Sequence, residues 1–505
     1  MKKLIRFLTS RLFHFTILIL LQAGLFCIGL FWLWEYSAAG WLLLQLLSGL
    51  LVVFIVSWPD NPAYKLAWVI LILGLPGFGC FFFLAFSRRS VPPRLQRTLR
   101  QVEEKAARCF PERHVLPTGA DFDPTVSKTA AYLQKIGPFP VFSNTETVYL
   151  TPGEEKFRVL CQELEKARHF IFLEYFIIEK GVMWDTVLAI LLRKLREGVE
   201  VRVLYDDLGC IQTLPPKYDA YLRQFGIQVE VFNRYRPFLD LCMGYRDHRK
   251  ICIIDGNAAI TGGINLADEY INVREKHGYW KDAALLLRGE GVRSLCRMFL
   301  TLWETCSGTE EDYTPYLASA PAAGKGLVLP FCDSPLDSEL VSKSLYLSMI
   351  QSAARSVRIQ TPYLILDNEI ATALALAAKS GVLVEIFTPC IGDKWYVQEL
   401  TRANYPQLLR AGVHIYEYTP GFLHSKVVSA DEASAVVGSC NFDFRSLYLH
   451  FECGVWMYRT AAVEAVEEDF QATRAVSREV KPEDCRLPWH RSLVRKFLQV
   501  FAPLT

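Results

Sequence analysis

The sequence predicts a duplicated α/β protein behind an apolar N-terminal region, and three observations predict it. First, His248-Arg249-Lys250 is followed by Asp255 and Gly262-Gly263-Ile264-Asn265, and His424-Ser425-Lys426 by Asp431 and Gly438-Ser439-Cys440-Asn441. In both copies Lys stands two residues after His, Asp seven, the first Gly fourteen and Asn seventeen, and the copies lie 176 residues apart. Second, helix and strand patterns alternate in the same order ahead of each copy. Third, the first 87 residues are mostly apolar. A register kept at five positions is an internal duplication.

Residues 13–34 are almost wholly apolar and follow Lys2, Lys3, Arg6 and Arg11. A span needs roughly 20 residues, so they read as an uncleaved anchor with a cytoplasmic N-terminus. A second apolar run covers 41–57 and a third 66–86, separated by the turn Ser57-Trp58-Pro59-Asp60-Asn61-Pro62. Gly74-Leu75-Pro76-Gly77-Phe78-Gly79 interrupts the third run and reads as a kink or the tip of a re-entrant loop. Basic residues flank both ends, with Arg88, Arg89, Arg94, Arg97 and Arg100 on the far side. Two spans plus one re-entrant segment would put both ends, and the chemistry, in the cytoplasm.

The expected division is a membrane region over 1–87, a linker over 88–125 with a short helix at 95–108, a first catalytic half over 126–320, a second over 321–480, and a basic amphipathic segment over 481–505. In the first half, helical spacing at 154–168, 183–197 and 216–225 alternates with apolar strands at 169–175, 198–205 and 227–232. In the second, helices at 337–354, 368–380 and 396–411 alternate with strands at 357–360, 381–387 and 412–416. This order predicts mostly parallel sheets in an α/β sandwich, with the halves packed about a pseudo-twofold axis and both motifs in one cleft.

His-x-Lys inside an apolar run reads as strand, so alternation puts His and Lys on one face and the residue between them on the other. Imidazole can attack when neutral and donate a proton when charged. Lysine adds a fixed positive charge, and asparagine adds amide donors, which suits the oxygens of a phosphoryl group in its transition state. Two facing sets can perform a double displacement. His248, Lys250, His424 and Lys426 are therefore the catalytic candidates. Asp255 and Asp431 complete the motif and are counted with it, although an Asp before Gly256 or Glu432 is also ordinary turn chemistry after a strand.

These residues resemble the phospholipase D superfamily, whose signature is His-x-Lys-x4-Asp followed by Gly-(Gly/Ser/Thr)-x-Asn. The flanks Glu174-Tyr175-Phe176, Tyr205-Asp206-Asp207-Leu208-Gly209, Asn265-Leu266-Ala267-Asp268-Glu269-Tyr270, Thr361-Pro362-Tyr363 and Asp443-Phe444-Arg445-Ser446 look like those of bacterial cardiolipin synthases. The resemblance implies N-terminal transmembrane helices plus a duplicated phospholipase D-type α/β sandwich. It implies phosphatidyl transfer between two phosphatidylglycerol molecules through a phosphatidyl-histidine, with His248 as nucleophile and His424 as acid/base. The same signature also serves a hydrolytic phospholipase D or transfer to another alcohol, and the pseudo-symmetry allows the two histidines to exchange roles. It also implies that carboxylates hold the imidazoles: Glu452, 28 residues after His424, and Asp282, 34 residues after His248, as the first-half counterpart. Asn265, Asn441 and Ser439 are assigned with them to phosphate binding and orientation.

Composition narrows the partners. A net charge of +2 over 505 residues lacks the basic excess of a nucleic-acid binder. The fourteen cysteines include no Cys-x-x-Cys pair and read as thiols of a reducing compartment. No glycine-rich nucleotide loop or metal-ligand spacing stands out, so no cofactor or metal is expected; the expected partners are phosphatidylglycerol and cardiolipin in the cell membrane. Arg445 and Ser446 read either as phosphate ligands or as ties between the halves. Trp280, Phe299, Trp303 and Tyr363 read as core. The C-terminal stretch 487–501 reads either as lying on an anionic membrane surface or as packing on the second half.

Overall fold

The duplicated pattern folds into two sheets of matching strand order. The structure is a computed structural model and describes residues 24–504 apart from 25, 33–34, 36, 88–92, 111–123, 138, 235–243, 318–319 and 338. In the first half the strands are β1 (Thr145–Leu150), β2 (Phe170–Tyr175), β3 (Glu200–Asp206), β4 (Gln228–Phe232), β5 (Arg246–Asp247), β6 (Lys250–Ile254), β7 (Ala258–Gly262), β8 (Tyr279–Lys281) and β9 (Ala284–Gly289). The second half contributes β10 (Leu327–Asp333), β11 (Ser356–Gln360), β12 (Leu383–Pro389), β13 (His414–Tyr418), β14 (Gly421–Leu423), β15 (Val427–Ala430), β16 (Ser434–Gly438), β17 (His450–Tyr458) and β18 (Ser477–Glu479).

The first sheet runs β1-β9-β7-β6-β2-β3-β4 and the second β10-β17-β16-β15-β11-β12-β13-β18. The first seven positions repeat, and β18 is an addition at the far edge of the second sheet. Only β2-β3-β4 and β11-β12-β13 are parallel within these sheets, and the remaining neighbours are antiparallel. The expectation of mostly parallel sheets is therefore corrected to mixed ones. The reason is local: after each His-x-Lys strand the chain turns back through Asp255-Gly256 or Asp431-Glu432, making a hairpin where a helical crossover would have kept the direction.

The helices fall near their expected places, for example at Gly153–Lys166, Val182–Arg196 and Asn368–Lys379. The run at 396–411 divides into Trp395–Ala403 and Tyr405–Ala411. Pro406 lacks an N–H and is tolerated only in a helix's first turn, so a new helix starts there.

The halves share a core. One apolar cluster runs from Phe172, Ile251 and Phe299 through Phe331 to Val357, Val436 and Trp456. Each Leu- or Phe-sized side chain so buried contributes about 1.5–3 kcal/mol, so separating the halves would expose far more than a domain's usual margin. Two short ladders also cross between them: β5 pairs with β17, placing Arg246 opposite His450 and Asp247 opposite Phe451. Similarly β14 pairs with β8, placing Phe422 opposite Trp280 and Leu423 opposite Lys281.

Among the described residues, one helix is long and apolar enough to cross a membrane, Ala38–Ser57, capped by the Ser37 hydroxyl. The third apolar run forms two shorter helices, Pro62–Gly74 and Phe78–Phe86. At about 1.5 Å per residue neither reaches across a ~30 Å hydrocarbon layer, so several full spans are not what this region displays. Most of the run at 13–34, the basic residues before it, and Arg88 and Arg89 lie outside the described residues. The linker helix extends over Pro93–Cys109.

Candidate active site

The cross-half ladders place the two motifs. The backbone N–H of His248 donates to the carbonyl of Phe451 at 2.9 Å, and that of His424 to the carbonyl of Lys281 at 2.7 Å. The residue after each acceptor is an acid: Glu452 in one case, Asp282 in the other. His248 Nδ1 lies 2.9 Å from Glu452 Oε1, and His424 Nδ1 lies 2.6 Å from Asp282 Oδ2. Counting from the histidine of the same half pairs them the other way. In the folded chain each imidazole is held by a carboxylate of the opposite half.

Alternation does its expected work beside the histidines. Lys250 and Lys426 turn to the same side as their histidines, and each ammonium donates to the main-chain carbonyl of its own histidine. Lys426 Nζ is also 2.8 Å from His424 Nδ1. Arg249, between His248 and Lys250, points to the other face, where its Nε lies 2.7 Å from Glu174 and 3.2 Å from Asp247.

Burial sets the protonation states. It pushes His248 down to about 3, against the Glu452 carboxylate, which favours its charged form, and with Lys250, which opposes it. Burial and then Lys426 push His424 down to about 4, against Asp282. Burial raises the proton affinity of Glu452, but His248 beside it prevails and holds the carboxyl well below its usual range. When His248 donates Nδ1–H to the ionised Glu452 carboxylate, its Nε2 lone pair is left unshared. Lys250 is lowered to about 8 by burial, and Lys426 to about 7 by burial and by repulsion from Lys250, in both cases against nearby carboxylates. Two buried lysines that lose protons this easily form a site whose charge an incoming anion would complete.

The remaining sequence candidates divide. The Ser439 hydroxyl donates to Glu452, so it orients the carboxylate and does not face an open phosphate site. Its first-half counterpart, Gly263, admits no side chain, because a Cβ would sit 2.2 Å from Asp282 Oδ1. Asn265 is occupied: Oδ1 accepts from the Ile177 N–H at 3.0 Å, and Nδ2 donates to the Tyr270 hydroxyl at 2.6 Å. Asn441 donates to Ser446 at 3.1 Å, and its buried Oδ1 has no hydrogen-bond partner. These asparagines hold loops at the site through most of their amide groups. Ser446 is buried in that bond, whereas Arg445 is exposed.

Asp255 and Asp431 lie at the far ends of their strands, with left-handed φ of 53° and 55°. Asp255 accepts from the N–H groups of Arg168, His169 and Phe170, and Asp431 from those of Ala354, Arg355 and Ser356. Each carboxylate clamps the start of the antiparallel neighbour of its strand, β2 or β11. Both carboxylates thus hold backbone N–H groups at the turns, the place their turn chemistry suggested.

Sequence reasoning missed His450. Its ring centroid is 5.6 Å from that of His248, Nδ1 lies 3.8 Å from Glu452, and both buried ring nitrogens lack a hydrogen-bond partner. The signal was available: His450 stands two residues before Glu452 on one strand and so shares its face. Trp280 holds the same position before Asp282 and packs 5.2 Å from His424, so it is a wall of the site as well as core. His248, His450 and Glu452 bring possible metal-ligand atoms within 4.8 Å of one another. The buried ammonium of Lys250 beside them makes the place electrostatically poor for a cation.

Comparison with known proteins agrees with this architecture. Residues 160–279 and 346–474 match the family described as "Cardiolipin synthase, PLD-like domain", one stretch in each half. A cardiolipin synthase of Geobacillus sp. is 37% identical, covering 86% of this chain and 88% of its own. One from Halalkalibacterium halodurans is 32% identical over 98% of this chain and 99% of its own. An uncharacterised protein of Streptococcus mutans is 42% identical over 85% of this chain and 94% of its own. The crystal structure of Haemophilus influenzae phosphatidylserine synthase superposes with a TM-score of 0.57 at 15% identity, covering 75% of this chain and all of that one, a likeness of fold. With this much of the chain shared with synthases of full length, the protein belongs to the phospholipase D-like cardiolipin synthases and is an enzyme that transfers phosphatidyl groups.

Proposed function

We propose that the enzyme joins two phosphatidylglycerol molecules into cardiolipin and free glycerol through a phosphatidyl-histidine. The observation that carries this reading is the pair of buried imidazoles, each held by a carboxylate, beside two lysines whose charge an anion would complete. The first phosphatidylglycerol places its phosphodiester between Lys250 and Lys426. Its negative charge raises the proton affinity of both lysines and of His424, leaving His424 protonated as general acid. His248 Nε2 attacks phosphorus, the bond to the headgroup glycerol breaks, and the glycerol oxygen takes the proton from His424. The terminal hydroxyl of the second phosphatidylglycerol then gives its proton to His424 and attacks phosphorus, and the P–N bond breaks. One phosphodiester replaces another, so the exchange needs no nucleotide.

Glu452 stabilises the positive charge on substituted His248, and Asp282 does the same for protonated His424. Assigning attack to His248 rests on the role of the N-terminal copy in resembling chains, and the free Nε2 of a neutral His248 is compatible with it. The apolar helix Ala38–Ser57 would hold the enzyme in the cell membrane, with the catalytic halves, over 126–320 and 321–480, on the cytoplasmic side.

Lipid products and released glycerol from phosphatidylglycerol in mixed micelles test this reading, with wild type beside His248→Ala and His424→Ala. Equal cardiolipin and glycerol, lost in both variants, is the expected result. A lipid-labelled protein should accumulate in His424→Ala and not in His248→Ala. Phosphatidic acid in place of cardiolipin would make water the acceptor and the enzyme a hydrolase.

A further inference from the structure

The C-terminal helix, Trp489–Phe501, is used on one side only. Arg491 reaches Glu399 at 3.0 Å, and Arg495, itself 11% exposed, reaches the same carboxylate at 2.6 Å. These pairs fasten it to the helix Trp395–Ala403 of the second half. On the other side Trp489, Leu493 and Phe497 recur every four residues and are 79%, 61% and 64% exposed. That spacing makes one stripe along the helix. Trp395 on the neighbouring helix is 68% exposed as well. Soluble surfaces rarely leave so much contiguous apolar area uncovered.

Two further observations say what covers it. The same helix packs against Pro62–Gly74 of the apolar N-terminal region, and Leu504 beyond it packs on the cluster of Ile55, Trp68 and Phe83. The helix that carries the stripe is therefore docked on the apolar region, whose own helices expose Leu42, Leu46, Leu50, Leu66 and Leu73. Residues 486–505 carry no acidic residue, and besides the two arginines paired with Glu399 they bear Arg486 and Lys496, both exposed, with Lys496 next to Phe497. Apolar residues edged by basic ones suit the boundary between anionic headgroups and acyl chains.

We propose that this helix lies on the surface of an anionic bilayer as a second membrane contact, distinct from the apolar N-terminal segment, and that the two contacts together fix how the catalytic halves face the lipid. The sequence left open whether this segment packs on the second half or rests on a membrane. The fold assigns the Arg491–Arg495 side to the first task and the Trp489–Leu493–Phe497 side to the second.

The test places a photo-crosslinking amino acid at Leu493, or at Phe497, in the full chain reconstituted in vesicles of phosphatidylcholine and phosphatidylglycerol. The control position is Tyr221, an exposed aromatic residue on the first half. Lipid adducts about tenfold above the Tyr221 level are expected. Adducts to a second copy of the chain, or lipid adducts no more frequent than at Tyr221, would overturn the proposal. As an independent measurement, Leu493→Glu/Phe497→Glu should lose about tenfold activity on vesicles and keep it within twofold on detergent-dispersed short-chain phosphatidylglycerol. Equal loss on both substrates would mean a folding defect and would count against a surface role. Crosslinking needs no turnover, so its outcome is separate from that of the cardiolipin reading.

Discussion

The two halves repeat their strands, motifs and aspartate clamps, yet the surroundings of their histidines differ. His248 faces Glu452, which Ser439 orients, with His450 alongside. His424 faces the shorter Asp282, packed against bare Gly263, with Trp280 alongside. Behind the first motif Arg249 sits buried between Glu174 and Asp247, whereas the matching position in the second is Ser425, whose buried hydroxyl has no hydrogen-bond partner. The scaffold is symmetric and the chemistry is not. A double displacement asks different things of its two imidazoles, and a duplicated fold can meet them by changing neighbours while leaving the frame alone.

The largest expected effect tests the crossing. Glu452→Gln should lower transfer about 10³-fold and reproduce a defect of His248, while Asp282→Asn should reproduce one of His424. Adding Glu452→Gln to His248→Ala should cost almost nothing more, whereas adding it to His424→Ala should remove the trapped lipid-protein adduct. If Glu452→Gln instead compounded the loss in His248→Ala, the two residues would not act as a unit.

Lysine depletion should come next. In Lys426→Met, transfer should fall about 100-fold, chiefly through KM, because a buried cation that meets the phosphate is gone. Lys426 is lowered to about 7 and Lys250 to about 8, whereas an unfolded lysine titrates near 10.4. Between those values the unfolded chain binds more protons, so wild-type stability should rise with pH from about 7 to about 10. Thermal unfolding in detergent at pH 6.5 and pH 9 should show that rise reduced in Lys426→Met, with the variant more stable than wild type at the lower pH.

A smaller and equal effect is expected where the halves agree. Asp255→Asn and Asp431→Asn each weaken charge-assisted bonds to three backbone N–H groups. Each should cost about 1–3 kcal/mol in unfolding measurements and leave kcat of the folded enzyme unchanged. A loss of kcat without loss of stability would return these aspartates to the chemistry.

The smallest effect sharpens the difference. His450 depresses the proton affinity of His248, so His450→Asn should shift the acid limb of the pH–rate profile upward and change kcat two- to fivefold. The same measurement on Trp280→Phe should leave that limb in place.

Much of this was legible in the sequence because it is local. Strand alternation places His, Lys and the outward Arg249, and the repeated register gives two halves of one order. Turn chemistry already marked Asp255 and Asp431 as clamps. What escaped depends on packing between distant segments. Glu452 and Asp282 could be picked out by position, but the ladders β5–β17 and β8–β14 decide which histidine each one meets, and no periodicity encodes them. The asparagines were assigned donors for phosphate, whereas Tyr270 and Ser446 take up part of that capacity. Sheet direction was misjudged because the three-residue turn Asp255-Gly256-Asn257 outweighs the helical alternation around it. The apolar N-terminal runs were visible as composition, and the Gly74–Gly79 stretch read as an interruption of the third is where the helices Pro62–Gly74 and Phe78–Phe86 separate.

The crossed carboxylates also bear on how the enzyme comes into being. A first half leaving the ribosome carries His248 with no acid to orient it, and Glu452 is made some two hundred residues later. On the proposed mechanism, reactivity toward lipid is withheld until synthesis has passed Glu452 and the two pieces have closed on each other, and a chain truncated before Glu452 should transfer no phosphatidyl groups.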